Sequence, residues 1–144
     1  MEPTLLNSCA RAATAAEARY RIDRPIPGRS ARVIALDEGA EETVRRVAEQ
    51  PWTDARFLTA DEATAEQLRD ADLVVMVAKA DDGAPAAAAI ALECQRRGIM
   101  MAGLILGERL EGSAAVSAIR PYAPVLLVSG DEDDLAELLT ALRA

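Results

Sequence analysis

The sequence contains no histidine, which removes the commonest general base and the commonest metal ligand from any candidate site. Catalysis would have to depend on carboxylates, hydroxyls, a thiol or the single lysine, Lys79. The two cysteines, Cys9 and Cys94, are far apart in the chain and form no CxxC motif. We therefore expect two reduced thiols that only pack in the interior.

Aromatic residues make up only 3% of the chain, so the core has to be built from aliphatic side chains. No apolar run approaches the roughly 20 residues that cross a bilayer, and residues 1–20 lack the pattern of a signal peptide, so we expect a cytoplasmic protein. A net charge of −8 and the lack of a basic stripe disfavour binding to nucleic acid or an anionic membrane. The excess of alanine and arginine is typical of a GC-rich bacterial genome.

What the sequence does contain is an alternation of short apolar runs with amphipathic segments. The run Leu73–Ala78 is apolar throughout, which is typical of a strand buried on both faces of a parallel sheet. Pro85 and Gly98 bound a helix over Ala84–Arg97. The predicted strands are Arg32–Leu36, Arg56–Thr59, Leu73–Ala78, Ile99–Leu106 and Val125–Val128. The predicted helices are residues 4–20, Glu41–Gln50, Ala63–Asp70, Ala84–Arg97, Ser113–Arg120 and Leu135–Leu142.

This order of elements predicts a three-layer, Rossmann-like α/β domain, with about five mostly parallel strands and helices on both faces. Residues 32–144 would form this single domain, and residues 1–31 an extra N-terminal helix and a linker packed on it. In such sheets, ligands bind beyond the carboxyl ends of the strands. A functional site is therefore expected at that edge.

Acidic residues follow every predicted strand at this edge, which we call the acidic rim. They are Asp37, Glu38, Asp61, Glu62, Asp81, Asp82, Glu108, Glu111 and Asp131–Asp134. Each strand end is also a helix start, where a carboxylate caps free N–H groups and complements the helix dipole. Carboxylates there also repel a free phosphate, so nucleotide binding would need a divalent cation. The carboxylates that could bind Mg²⁺ are those of Asp37, Asp81, Asp82 and Asp131.

Arginines are concentrated near the predicted C-termini of the helices, at the edge opposite the acidic rim. They are Arg45, Arg46, Arg69, Arg96, Arg97, Arg120 and Arg143. Two edges of opposite charge could stack molecules head to tail, which makes rings or filaments. This pattern predicts a homo-oligomer.

The segment ADLVVMVAKADDGAPAAAAIALECQRRGIMMAGLILGERLEG, residues 71–112, resembles the nucleotide-binding half of the FtsZ/tubulin family. In that family an Ala-Asp-led strand meets a glycine-rich loop, and a helix, a strand and an aromatic-Glu-Gly segment follow. Gly83-Ala84-Pro85 and Leu110-Glu111-Gly112 keep this order here. The stretches ARVIALDEGAEETVRRVAEQ and PVLLVSGDEDDL resemble the family's first phosphate loop and its last strand before the base-contacting helix. The resemblance covers most of residues 32–135 and implies a nucleotide-type scaffold.

The candidate ligand-binding positions on this scaffold are spread over three loops. They are Asp37, Gly39, Lys79, Asp81, Asp82, Gly83, Ser129, Gly130 and Asp131. Lys79 could contact a phosphate, but we expect an ion pair with Asp81 or Asp82. Ser129-Gly130 could be a ligand contact or a turn, and we expect the turn. Trp52 is expected to cover a helix end.

The loops depart from the family pattern in a way that bears on function. The family's phosphate loop is nearly all Gly and Thr, because backbone amides must approach phosphates closely. Here residues 79–83 carry two carboxylates, and the first loop keeps only Gly39. We therefore expect a non-catalytic binding, regulatory or assembly module without a cofactor, whose partner is itself or another protein. The alternative is a Mg²⁺-dependent nucleotide- or phosphate-binding protein or enzyme that uses the acidic rim.

Overall fold

The computed structural model describes residues 28–107 and 114–144, in which five parallel strands form one sheet in the order β2-β1-β3-β4-β5. The strands are β1 (Ala31–Ala35), β2 (Ala55–Thr59), β3 (Leu73–Ala78), β4 (Met100–Leu106) and β5 (Val125–Ser129). The helices are α1 (Glu38–Ala48), α2 (Ala84–Arg97), α3 (Ala114–Ile119) and α4 (Asp134–Ala141). The expected N-terminal helix, the linker as far as residue 27, Cys9, Glu108 and Glu111 lie outside the described residues.

Side chains alternate between the two faces of the sheet and form a separate core on each. In β3, Val75 and Val77 pack with α1 and α4, whereas Val74 and Met76 pack with α2 and α3. All four strand pairings are parallel. The predicted three-layer α/β fold with helices on both faces is thereby confirmed.

The predicted strands agree with the observed ones to within one residue at each end, and α2 has the predicted bounds. Helix α1 begins three residues earlier than predicted, at Glu38 instead of Glu41. The cause is Asp37, whose backbone is extended and whose carboxylate accepts a hydrogen bond from the Ala40 N–H at 2.8 Å. This N-cap satisfies a first-turn amide and fixes where the helix starts.

The helix predicted over Ala63–Asp70 is wrong, because residues 60–70 form turns around a single buried anchor, Leu68. The carbonyls of Gln67 and Arg69 are bound by the guanidinium of Arg32, at 2.7 and 3.3 Å. Asp70 then has a positive φ of 64°, which ends any helical path. Carbonyls of this segment thus bind Arg32 in β1, and the predicted helix does not form.

Arg32 is a buried charge in the middle of this arrangement, with 3% of its surface exposed. Its guanidinium also donates to the Ser30 hydroxyl at 3.1 Å and to the Ala31 carbonyl at 3.1 Å. Burial, more than the neighbouring charges, lowers its pKa from the ordinary value. These acceptors are neutral, so Arg32 forms hydrogen bonds and no ion pair with them. The hydrogen bonds connect β1 to the segment that leads to β3.

Two smaller predictions are confirmed. Trp52 covers the end of α1, where its indole N–H donates to the Val47 carbonyl at 2.8 Å. Cys94 lies on the buried face of α2, and burial raises the pKa of its thiol to about 11, which keeps it protonated and unreactive. In the described residues, no helix is long and apolar enough to span a membrane.

We expect Arg32→Ala to lower the free energy of unfolding by about 2 to 4 kcal/mol, because it leaves carbonyls of the 60–72 segment without their donor. Urea unfolding followed by circular dichroism measures this change. Arg56→Ala is the matched control, since Arg56 is paired with Arg32 in the β1–β2 register and is exposed. The control should change stability by no more than about 0.5 kcal/mol. Equal losses in the two variants would contradict the assigned role.

Candidate functional site

The carboxyl edge of the sheet has a switch point between β1 and β3. The chain leaves β1 through α1 toward β2 on one side, and leaves β3 through α2 toward β4 on the other. In doubly wound sheets of this order, the crevice between two such loops is where ligands bind. We call the loops at this crevice, with the neighbouring residues 130–133 between β5 and α4, the switch-point site.

The crevice is bridged by the carboxylate of Asp37, which is 8% exposed. One oxygen caps α1 through the Ala40 N–H, and the other accepts from the N–H groups of Lys79 at 2.8 Å and Ala80 at 3.0 Å. The first loop is thereby fastened to the loop after β3. These backbone amides are the groups that a phosphate would use in a nucleotide loop, and here a side chain of the protein binds them.

Gly83 is buried directly against the end of β1. A Cβ added at this position would lie 2.2 Å from the carbonyl oxygen of Leu36, so only glycine fits. Its role is therefore close packing of two backbone segments. Asp81 and Asp82 on the same loop are exposed, and the Asp81 carboxylate accepts at 3.4 Å from the N–H of Ala115 in α3.

The ion pair expected for Lys79 exists, but its partner is Glu132 rather than Asp81 or Asp82. The prediction of the partner was wrong because the side chain of Lys79 turns away from its own loop, and its stem lies against Gly39. Glu132 also accepts from the Thr43 hydroxyl at 2.9 Å and from the Arg46 guanidinium at 3.0 Å. A carboxylate between α4 and β5 is thus held by donors from α1 and from the end of β3.

Hydrogen bonds from Lys79 and Thr43 lower the pKa of Glu132 below its ordinary value. Thr43 is 1% exposed, so its hydroxyl needs a partner inside the protein, and Glu132 supplies one. Lys79 and Glu132 are each about 30% exposed at the side chain. The ion pair therefore lies at the wall of a cleft, within reach of water.

The segment after β5 is a turn, as expected for Ser129-Gly130. The Ser129 hydroxyl donates to the Asp134 carboxylate and accepts from the Asp131 N–H at 3.0 Å. The Asp131 carboxylate in turn accepts from the Asp133 N–H at 2.9 Å. The polar side chains of Ser129, Asp131 and Asp134 therefore stabilise the turn through hydrogen bonds within it.

An open cleft of about 560 Å³ lies beside these groups. Its lining residues are Arg46, Lys79, Leu106, Gly107, Gly130, Asp131, Glu132 and Asp133. In residues 28–107 and 114–144, no group of three or more acidic or cysteine side chains is arranged to hold a metal ion. What the cleft offers chemically is a pair of cations beside a buried hydroxyl, together with glycines that leave its walls open.

The structure brings together Asp37, Gly39, Lys79, Gly83 and the 130–131 turn around one crevice, and leaves Asp81 and Asp82 on its exposed side. Sequence reasoning missed Thr43, Arg46 and Glu132 as a connected group, and it placed Arg46 at the opposite edge, whereas the Arg46 guanidinium binds Glu132 of the acidic rim. The sequence does indicate that Thr43 and Arg46 are neighbours, because residues three apart lie on the same face of a helix. Nothing in the run of acids at 131–134 distinguishes Glu132 from its neighbours.

A comparison with protein-family models and a comparison with curated proteins each find no match to this chain. The assignment of function therefore depends on the geometry of the switch-point site.

We expect Asp37→Ala to lower the free energy of unfolding by about 2 to 4 kcal/mol, since it removes a helix cap and leaves N–H groups of two loops without an acceptor. Hydrogen exchange should speed up at the amides of Ala40, Lys79 and Ala80. Asp82→Ala, at an exposed acid of the same rim, is the control and should change stability by no more than about 0.5 kcal/mol. Unchanged exchange at the Lys79 amide in Asp37→Ala would contradict the prediction.

The contacts of Glu132 should make part of the stability depend on pH. The pKa of Glu132 is lower in the folded protein than in the unfolded chain, where it is about 4.3. The contribution is therefore fully present above the unfolded value and is lost as the pH falls through the folded value. Urea unfolding of the wild type and Glu132→Gln should differ by a constant amount above about pH 6, and the difference should shrink below about pH 4. A difference that grows on acidification would contradict this.

Proposed function

We propose that this protein is a non-catalytic binding module, of a regulatory or assembly type, on a nucleotide-type scaffold with degenerate phosphate loops. The observation that carries the proposal is the binding of the Lys79 and Ala80 amides by the Asp37 carboxylate. A nucleotide phosphate at this crevice would have to displace a buried carboxylate that caps α1 and joins two loops. The cost of that displacement argues against a nucleotide as the ligand.

The proposal includes an ancestry and a location. A degenerate relative of the FtsZ/tubulin nucleotide-binding domain would keep the parallel sheet and the glycine that packs beside β1, and would lose the bare phosphate loop. Gly83 and the carboxylates of Asp81 and Asp82 support that description. The cytoplasm is the location that we propose for it.

The partner that we propose is a second copy of the chain, and charge complementarity supports it. Most acids of the rim are exposed, among them Glu38, Asp61, Asp82 and Asp133. Exposed arginines, among them Arg96, Arg97 and Arg120, lie at the C-terminal ends of helices that run back to the opposite edge. Copies stacked head to tail would bring these two oppositely charged edges into contact.

The alternative, a Mg²⁺-dependent nucleotide binder or enzyme, is separated from the proposal by calorimetry. Titration with GTP and with ATP, each with and without Mg²⁺, should show no binding in the micromolar range. The double variant Asp81→Asn, Asp82→Asn should behave like the wild type in this titration. Micromolar binding that needs Mg²⁺ and disappears in the double variant would establish the alternative, and nucleotide hydrolysis would overturn the non-catalytic assignment.

Analytical ultracentrifugation tests the assembly part of the same proposal. Oligomers should form at low salt and dissociate above about 0.5 M NaCl, where the Debye length falls to a few ångströms. Arg120→Glu should weaken the association, because it places a negative charge on the basic edge. A monomer at low and moderate salt over a wide range of concentrations would overturn assembly through these edges.

A further inference from the structure

Three donors converge on the carboxylate of Glu132, which lies in the wall of the open cleft. They are the hydroxyl of Thr43, the guanidinium of Arg46 and the ammonium of Lys79, which we call the donor cluster. The donors come from two separate elements, α1 and the end of β3, and their common acceptor is the carboxylate of Glu132. Two cations and a hydroxyl around one carboxylate are also the donors that bind a phosphate group.

We propose that the donor cluster is a binding site for a phosphate-type oxyanion, and that Glu132 is its internal occupant. Glu132 fills the site as a ligand would: one carboxylate oxygen accepts from Lys79 and Thr43, and the other accepts from Arg46. A phosphate group offers at least as many acceptor oxygens in a similar space. The inference rests on the proposed binding function, since it names a class of ligand that the module would bind when Glu132 leaves the cluster.

Burial of Thr43 distinguishes this cluster from a chance surface ion pair. The residue is 1% exposed, and its hydroxyl donates to the Glu132 carboxylate at 2.9 Å, so removal of that acceptor leaves a buried donor that an oxyanion could satisfy. The Asp37 carboxylate accepts a hydrogen bond from the Lys79 N–H. This contact fixes the backbone position of Lys79, and with it the position of its Cα–Cβ bond. The donor geometry is thus set by the core and by the switch-point site.

Glu132 can exchange with a ligand because it is held less tightly than Asp37. Its side chain is 31% exposed, and partly exposed ion pairs contribute little net stability. Because Glu132 belongs to the same chain, its carboxylate competes with a free anion for the donor cluster at an effective concentration on the order of millimolar or higher. An oxyanion that binds the empty cluster with a millimolar dissociation constant would therefore be largely excluded from the wild type.

Other charges face the cluster and oppose an anion. The carboxylates of Asp131 and Asp133 line the same cleft, and Glu42 lies 3.9 Å from Arg46. Asp131 is oriented toward the Asp133 N–H in its own turn. These charges weaken the binding of an anion, and added salt screens that repulsion.

The test is a titration of inorganic phosphate, at constant ionic strength, into the wild type, Glu132→Ala and Asp133→Ala. Isothermal calorimetry measures affinity, and the amide shifts of Thr43 and Lys79 in NMR spectra locate the bound ion. Glu132→Ala should bind phosphate at least tenfold more tightly than the wild type. Asp133→Ala removes the same charge from the same cleft and should change affinity by no more than about twofold.

Two further variants complete the test. The double variant Lys79→Ala, Glu132→Ala should lose the gain, because it removes a cation of the cluster. Glu132→Gln keeps the size and one acceptor oxygen of the side chain, so it should fold like the wild type and show a smaller gain. Equal gains in Glu132→Ala and Asp133→Ala, a gain that persists without Lys79, or no gain in either Glu132 variant would overturn the inference. None of these results bears on whether the wild type binds nucleotides, so the proposed function is tested separately.

Discussion

The carboxylate of Asp37 is the contact on which the arrangement of the switch-point loops depends. It ends β1, starts α1 and binds two amides of the chain that leaves β3. Gly83 can then pack against Leu36, where no side chain larger than hydrogen fits. The N–H groups that bind this carboxylate are those that would bind a phosphate in an open loop. One interaction therefore organises the crevice and also takes up its capacity to bind an anion.

Glu132 does with side-chain cations what Asp37 does with backbone amides, but the two carboxylates are held differently. Asp37 is nearly buried, and its carboxylate oxygens accept hydrogen bonds from backbone N–H groups. Its removal therefore leaves these N–H groups without acceptors inside the protein. Glu132 is about one-third exposed, and water can replace much of what Lys79 and Arg46 lose. The first contact belongs to the fold, whereas the second can open and close without unfolding.

The sequence predicts the fold well because β3 and β4 are unbroken apolar runs and because α1 and α2 have their own start or stop residues. It fails where a distant group competes for local hydrogen bonds. Arg32 binds carbonyls of Gln67 and Arg69, and the segment 60–70 forms turns although its local pattern favours a helix. The site is predicted less completely for the same reason. That Asp37 caps a helix is a local property, but its contact with Lys79 depends on β1 and β3 being neighbours.

The rim acids illustrate how a cluster in the sequence becomes a set of separate contacts in the structure. Asp37, Asp81 and Asp131 each turn toward a backbone N–H near the start of an element, at Ala40, Ala115 and Asp133. A carboxylate aimed at a backbone amide is not aimed at the neighbouring carboxylates, and a divalent cation needs several carboxylates that converge. The exposed acids that remain among the described residues are spread along the edge. They create a negative electrostatic potential over that surface and do not form a metal-binding site. A surface of that kind attracts an opposite charge of similar extent, and this is why we propose the arginine-rich edge of a second copy as its partner.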